Sequence, residues 1–369
     1  MALRSRLILL LASVATTSAC AGPAIGSTIQ PGGSAASAKP TVSLVASLPR
    51  SASAIVVTPD GTVYLEQEGC WTWSDDSGNG SEAPQVLKLT AGAKLVVIAG
   101  TTCGFGGDGG PATGARFSVL SGILVDHAGN LFVVDKGNDR IREISSQGRV
   151  STVVGSGPVN DRGAVDFFGG DTGPATRARL AQPSALAIDA HGVLYIADQW
   201  NNRIRKVTSD GRITTVAGTG VKGSAGDGGP ATSAQLWYPE SLAVDGAGDL
   251  FIADQGGTRL RMVDSHGTIT TVAASSYAGA PAAPLHFSNI AALAVAPDQS
   301  LFIADIAVKS QVFRLAPDRS SLDGVMNGDW RCPGTCQHFG PLGLAFDPAG
   351  NLYVVNRGDK TLIKLAWKH

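Results

Sequence analysis

The chain has no excess of charge of either sign: Lys+Arg 29 against Asp+Glu 30 leaves a formal charge of −1 over 369 residues. Neutralising phosphates needs a surplus of basic side chains, so nucleic acid is excluded as a main partner. Charged residues of all kinds reach only 16%, below the usual quarter. Histidine is scarce at six, and neither a Gly-x-Ser-x-Gly elbow nor a phosphate loop occurs, so serine-hydrolase and nucleotide chemistry lack their signatures. Beyond the first twenty residues no apolar run approaches the 18 or so needed to span a bilayer as a helix. What is plentiful is glycine, 47 residues, within a chain that is 43% hydrophobic. That apolar share excludes a disordered chain, and the glycine excludes a coiled coil. Glycine interspersed with Val, Ile and Thr implies short strands joined by tight turns, an all-β fold.

The first forty residues differ from the rest. Arg4 and Arg6 precede an apolar stretch, Leu7 to Val14, followed by small and hydroxylated residues and Cys20. This is an export signal, too short to span a membrane. Thr17-Ser18-Ala19-Cys20 resembles a bacterial lipobox, with Thr17 where that motif usually has Leu. The resemblance implies a signal over 1–19, lipidation at Cys20 and a membrane-anchored lipoprotein. Cleavage after the A-x-A-like Ala19-Cys20-Ala21, giving a simply secreted protein, is the alternative. Residues 20–40 are small and polar with scattered proline, the composition of a flexible tether.

From residue 41 the chain repeats itself. The most regular unit runs from Leu186 through Asp189-Ala190-His191-Gly192, Leu194 to Asp198, Asn201-Asn202 and Asp210-Gly211 to Gly218. It holds four β-prone runs separated by three turn signals. Four antiparallel strands, repeated, form a propeller blade. Copies register on Asp60, Asp126, Asp189, Asp245, Asp298 and Asp347, so six blades are expected over 41–369. The sixth copy stops after its third strand, Thr361 to Leu365, and the missing outer strand is Thr41 to Ser47. Pairing of these two segments would close the ring and remove its open seam. The expected fold is therefore an all-β, six-bladed propeller of four-stranded antiparallel blades, the last closed by the N-terminal strand.

The units resemble NHL repeats. Three linkers carry Gly-Asp-x-Gly-Pro-Ala-Thr, at 107–113, 170–176 and 226–232, a signature similar to bacterial NHL propellers and to the NHL region of teneurins. The resemblance implies the fold. Function does not follow, because members include sensor, adhesion and RNA-binding modules, and related propellers are lyases or lactonases.

Candidate residues are then weighed one by one. Asp135/Arg140, Asp198/Arg203 and Asp254/Arg259 share one spacing across the loop between second and third strands, and are expected to pair and pin it. Asp305 faces Gln311 and is expected to lack an internal partner. The linker carboxylates Asp108, Asp171 and Asp227 are read as turn formers, since a calcium site needs six to eight oxygens. In an exported protein Cys70–Cys103 and Cys332–Cys336 are the economical disulfides, leaving Cys20 for lipid. Five of six tryptophans fall in linkers or second-to-third-strand loops, which share one rim. Trp71, Trp73, Trp200, Trp237, Tyr238 and Trp330 form the candidate ligand-binding face, for an envelope or extracellular protein, a peptide or a glycan. The competing reading is that these loops bury their own aromatics. The first functional reading is a non-catalytic recognition module without a cofactor, touching the membrane only through its N-terminal lipid. The alternative is a propeller lyase or lactonase with a divalent metal near the central channel, engaging Glu66, Asp305, His286 or His338.

Overall fold

The computed structural model describes residues 40–70, 82–158, 167–254, 256, 258–274, 287–306, 311–326 and 340–367. In the third repeat, Ala185–Ile188, Leu194–Asp198, Arg203–Val207 and Ile213–Ala217 pair antiparallel in that order. Its first turn is built on Asp189, whose carboxylate accepts the amides of His191 and Val193 at 2.9 Å while Gly192 takes φ 78°. Asp and Gly are the residues that stabilise such turns and tolerate positive φ. The same closure recurs at Asp126, Asp245 and Asp347, while in the first and fifth blades the aspartate, Asp60 or Asp298, stands two residues later in the turn and accepts the amide of Thr62 or Ser300.

Six four-stranded sheets result, spanning 52–99, 120–154, 185–217, 241–274, 290–326 and 341–366. The sixth is completed by Thr41–Ser47, with Thr41 opposite Ala366 and Ser47 opposite Thr361 around a bulge between Leu44 and Ala46. Ring closure by the early strand is thus as the repeats required. The core is divided accordingly into apolar layers, one between each pair of neighbouring blades. Ala46, Leu48, Ile55 and Leu65 meet Tyr353, Val355 and Leu362 at the seam. Val86 and Ala99 of the first blade meet Phe117 of the linker and Leu131 and Val133 of the second blade.

The innermost strands surround an axial channel of about 130 Å³ in three rings. Nearest the linkers stand Ser53, Ser121, Ser184, Glu240, Ala291 and Leu342. In the middle are Ala54, Gly122, Ala185, Ser241, Ala292 and Gly343. Here neighbouring strands approach closely: a Cβ on Gly343 would lie 3.2 Å from the Ser53 carbonyl and 3.3 Å from the Ala54 Cα. The third ring is Ile55, Ile123, Leu186, Leu242, Leu293 and Leu344. Six aliphatic side chains at one level form an apolar constriction, leaving a well that is polar on the linker side.

Candidate functional site

The linkers and the second-to-third-strand loops do share a rim, and three blades build that rim by one recipe. In the third blade, Asp198 lies opposite Arg203 in register, but the two do not form the expected pair. The Arg203 guanidinium instead donates to the carbonyls of Asn201 at 3.1 Å and Thr219 at 2.7 Å, and stacks 3.8 Å from the Phe168 ring centre. The carboxylate pairs with Arg205, two residues further along the same strand face, at 3.2 Å. Arg205 is fully buried and also holds Asp171 of the preceding linker at 2.6 Å. The second blade repeats this with Asp135–Arg142–Asp108 at 3.1 and 2.5 Å, and the fourth with Asp254–Arg261–Asp227 at 3.8 and 2.6 Å. Arg140 likewise leaves Asp135 for the carbonyls of Asn138 and Ser156.

The linker aspartates are therefore more than turn formers. Each crosses the blade face to a buried guanidinium, and Asp108 and Asp171 also accept the hydroxyls of Thr152 and Thr215 at 2.7 Å. The Pro-Ala-Thr half of the signature forms a short 3-10 turn. Its buried alanine amide, at Ala112, Ala175 or Ala231, donates at 2.8 Å to the carbonyl of Gly148, Gly211 or Gly267 in the next blade's last hairpin. Burial pushes the Asp135 and Asp198 carboxyls up to about 6, against the pull of amide donors, Asn138 or Asn201, and the arginine. Both stay ionised at neutral pH as counter-ions of the buried guanidinium.

Asp305 also has partners, contrary to the sequence expectation. Its carboxylate accepts the Ser288 and Asn289 amides at 3.0 Å, while Gln311 stands opposite in register as expected. The arginine position is occupied in its blade by Phe313, which packs edge-on against Phe287 with ring centres 5.5 Å apart.

Among the candidate aromatics, Trp71, Trp73 and Trp330 lie outside the described residues. Trp237 is half-buried beneath Lys222, 4.1 Å from its ring centre, and Phe105 and Phe168 lie against Arg140 and Arg203. Trp237 and Phe168 are thus partly internal, while Phe105 is 39% exposed. Trp200 is different: it is 60% exposed at the tip of the turn Gln199–Asn201. The turn is held by Trp200 N–H to the Ala181 carbonyl at 3.1 Å and by Asn201 to Asp198 at 2.9 Å. Beside it, the Tyr238 amide donates to Asn202 at 3.0 Å, and Tyr238 and Phe167 are 39% and 48% exposed. The loops thus bring Trp200 and Tyr238 to neighbouring positions on one rigid rim.

The same turn points Gln199 inward, where its Oε1 accepts Lys136 Nζ at 3.0 Å. Burial lowers the Lys136 pKa, against the influence of the nearby carboxyl groups of Glu240, Glu66 and Glu68. Glu66 is the residue that breaks the repeat. Its position on the second strand is held by Val134, Ala197, Ala253, Ala304 and Val355 in the other five blades. Glu66 is fully buried, bonded by Ser53, with Oε2 unpartnered, and burial pushes its carboxyl up to about 8. Among the described residues no three His, Cys, Asp or Glu side chains form a group able to hold a metal. Of the alternative metal set, Glu66 and Asp305 carry the contacts given above, and His286 and His338 fall outside the described residues.

A disulfide joins Cys70, after the second strand of the first blade, to Cys103 beyond its fourth. Cys20, Cys332 and Cys336 lie outside the described residues.

The profile of the teneurin NHL domain matches residues 165–225 and 220–287. Human Teneurin-4 is 30% identical over 241 residues, covering 62% of this chain and 8% of that protein. Teneurin-m of Drosophila melanogaster is 28% identical over 250 residues, 58% and 9% respectively. The chain thus spans under a tenth of the length of these relatives. Among solved structures, a virginiamycin B lyase from Staphylococcus aureus with quinupristin superposes with a TM-score of 0.51 at 13% identity, covering 89% of this chain and 99% of that one. A gluconolactonase from Xanthomonas campestris gives 0.51 at 15%, covering 92% and 99%. At such identities the likeness is one of fold alone. With six four-stranded sheets in a closed ring, and the teneurin signature along its third and fourth blades, the chain is an NHL-repeat β-propeller.

Proposed function

We propose that the protein is an exported, non-catalytic recognition module that binds a protein, peptide or glycan through the linker rim. The observation that carries this reading is Trp200, a large aromatic ring mostly exposed on a turn fixed by hydrogen bonds at both ends. A rigid exposed tryptophan next to an exposed tyrosine provides contact area at little entropic cost, the usual make-up of a binding hot spot. The Cys70–Cys103 disulfide supports an oxidising compartment. The described chain enters at Thr41 opposite Ala366, on the rim of the first hairpins. With the signal over 1–19 removed, a lipid on Cys20 and a tether over 20–40 would therefore leave from the face opposite Trp200 and present the aromatic rim outward. The test compares retention on an envelope extract by wild type and by Trp200→Ala/Tyr238→Ala. Lost retention with an unchanged thermal midpoint is expected. Unchanged retention, or a midpoint that falls by more than roughly 5 °C, overturns the reading.

A second reading, a lyase or lactonase centred on the channel, is favoured by one observation: a buried carboxyl, Glu66, at a position that is apolar in every other blade. Metal analysis of purified protein separates the two, since a stoichiometric divalent ion lost in Glu66→Gln would support the enzyme.

A further inference from the structure

The linker-side end of the axial channel is chemically lopsided. Of the residues that line it, those of the first four blades are polar, Ser53, Ser121, Ser184 and Glu240, while Lys136, bonded to Gln199, lies near enough to Glu240 to interact with it. The fifth and sixth contribute Ala291 and Leu342. The serines are engaged locally, Ser121 and Ser184 donating to the carbonyls of Pro183 and Pro239 in the next blade. The charged groups are not engaged in this way. Lys136 has no carboxylate within 4.0 Å among the described residues, and its hydrogen-bond acceptor is the neutral Gln199. Glu240 lines the well, and its carboxylate has no hydrogen bond or ion pair among the described residues, although Lys136 is near enough to favour its charge while burial opposes it. Glu66 adds a fully buried Oε2 without a partner. Opposite charges thus stand near one well without meeting, and the lining beneath them is aliphatic. Groups left separated and partly desolvated in this way gain most from a guest that bears both complementary groups. At about 30 Å³ per water the channel has room for roughly four waters, hence for a head group no larger than a small amino acid.

We propose that the axial well binds a primary ammonium carried next to a carbonyl or carboxylate, as at the free amino terminus of a peptide or in an α-amino acid. The ammonium lies against Glu240, the adjoining oxygen faces Lys136 and Gln199, and the substituent leans on Ala291 and Leu342. This deepens the recognition reading by naming the chemistry at the centre of the rim that carries Trp200, and it rests on that reading.

The experiment uses the whole chain, with alanine, alanine amide, Ala-Ala and N-acetyl-Ala-Ala as probes in ligand-observed NMR and calorimetry at pH 7. Saturable binding of Ala-Ala is expected, with N-acetyl-Ala-Ala at least about tenfold weaker. Glu240→Gln should weaken Ala-Ala by a similar factor at an unchanged thermal midpoint, and Lys136→Met should weaken it less. Binding of alanine amide equal to that of alanine assigns a peptide terminus; preference for alanine assigns a free amino acid. Equal binding of the acetylated probe, no binding of any probe at about 10 mM, or Glu240-dependent binding of calcium chloride in place of the amines overturns the proposal. Trp200→Ala should leave Ala-Ala binding intact, so failure of the well and failure of the aromatic rim are read separately.

Discussion

Blades two to four and blades one, five and six share a backbone but fill one position in opposite ways. At the middle of the third strand the former bury Arg142, Arg205 and Arg261; the latter bury or half-bury Leu87, Phe313 and Ile363 at the same register. The difference follows the linkers. Blades two to four are each entered through a Gly-Asp-x-Gly-Pro-Ala-Thr segment, and its aspartate stands 34 residues before the buried arginine every time. Aspartate and arginine are thus two halves of one device that lashes a linker across a blade. The linker into blade six does carry an aspartate, Asp329, 34 residues before Ile363, but not the Gly-Pro-Ala-Thr half of the segment, so the apolar side chain goes with the absence of the whole motif rather than of the aspartate alone.

The largest expected effect tests how the apolar group is held. Blade six has no arginine device, and its outer strand is supplied by the other end of the chain. Deleting residues 41–47 removes that strand's ladder and exposes the seam layer around Leu65, Val355 and Leu362. A loss on the order of 5 kcal/mol or more is expected, read as a thermal midpoint lower by more than roughly 10 °C. Because the seam closes the ring, the whole transition should shift as one. A small separate transition for blade six would mean the blades stand independently.

Next comes the arginine itself. Arg205→Leu installs the blade-one solution in blade three while leaving Asp198 buried and Asp171 facing it, and should cost about 3–5 kcal/mol. The triple change Asp171→Ala/Asp198→Asn/Arg205→Leu removes the orphaned charges together and should restore most of that loss. Denaturant midpoints at constant slope check both. If the triple variant were no better than the single one, the two kinds of blade would differ by more than this exchange.

How much of this was legible in the sequence follows from the same contrast. Six blades and the closing strand were readable, because Asp189-type turns and Leu194–Asp198-type strands are local signals repeated at intervals. The arginine pairing was not. Asp198 and Arg203 are cross-strand neighbours, so the shorter spacing looked like the bond, whereas Arg205 on the same face reaches both Asp198 and a linker that folds back from 34 residues earlier. The available clue was the Arg-x-Arg repeat, Arg140/Arg142, Arg203/Arg205 and Arg259/Arg261, at a constant distance from the linker aspartate. The aromatic rim was half readable. Sequence position put Trp237 and Trp200 in the same class, but Lys222 covers one and nothing among the described residues covers the other to the same degree. Glu66 stands out only once the blades are in register, because alanine or valine takes its place in the other five.

Blade one has its own departure, and pH exposes it. With its carboxyl pushed up to about 8 by burial, Glu66 keeps a proton in the folded state that the unfolded chain releases near its ordinary value, about 4.3. The folded state then binds more protons than the unfolded one between those values, so this group's contribution falls as pH rises across that window and is fully unfavourable above about 8. Glu66→Gln removes the dependence. Its midpoint should coincide with wild type near pH 5 and exceed it by roughly 5 °C near pH 9. Asp135 and Asp198, displaced in the same direction, titrate in both proteins and drop out of the difference. Parallel midpoint curves would show Glu66 to be ionised and paired in the fold.

The smallest effect separates the two halves of the linker device. Asp171 is a third exposed, so its bond to Arg205 is partly screened by water, whereas Asp198 meets the same guanidinium with no exposure at all. The linker is held in addition by backbone bonds, Ala175 N–H to the Gly211 carbonyl and Ile213 N–H to the Gly173 carbonyl. Asp171→Ala should therefore cost only about 1–2 kcal/mol, well below Arg205→Leu, and leave the linker in place. Thr215→Val removes the hydroxyl that bonds the same carboxylate at 2.7 Å, so a double-mutant cycle with Asp171→Ala should show coupling of roughly 0.5 kcal/mol or more. Additive losses would mean that the backbone bonds alone fix the linker, leaving the aspartate to act as counter-charge to the buried arginine.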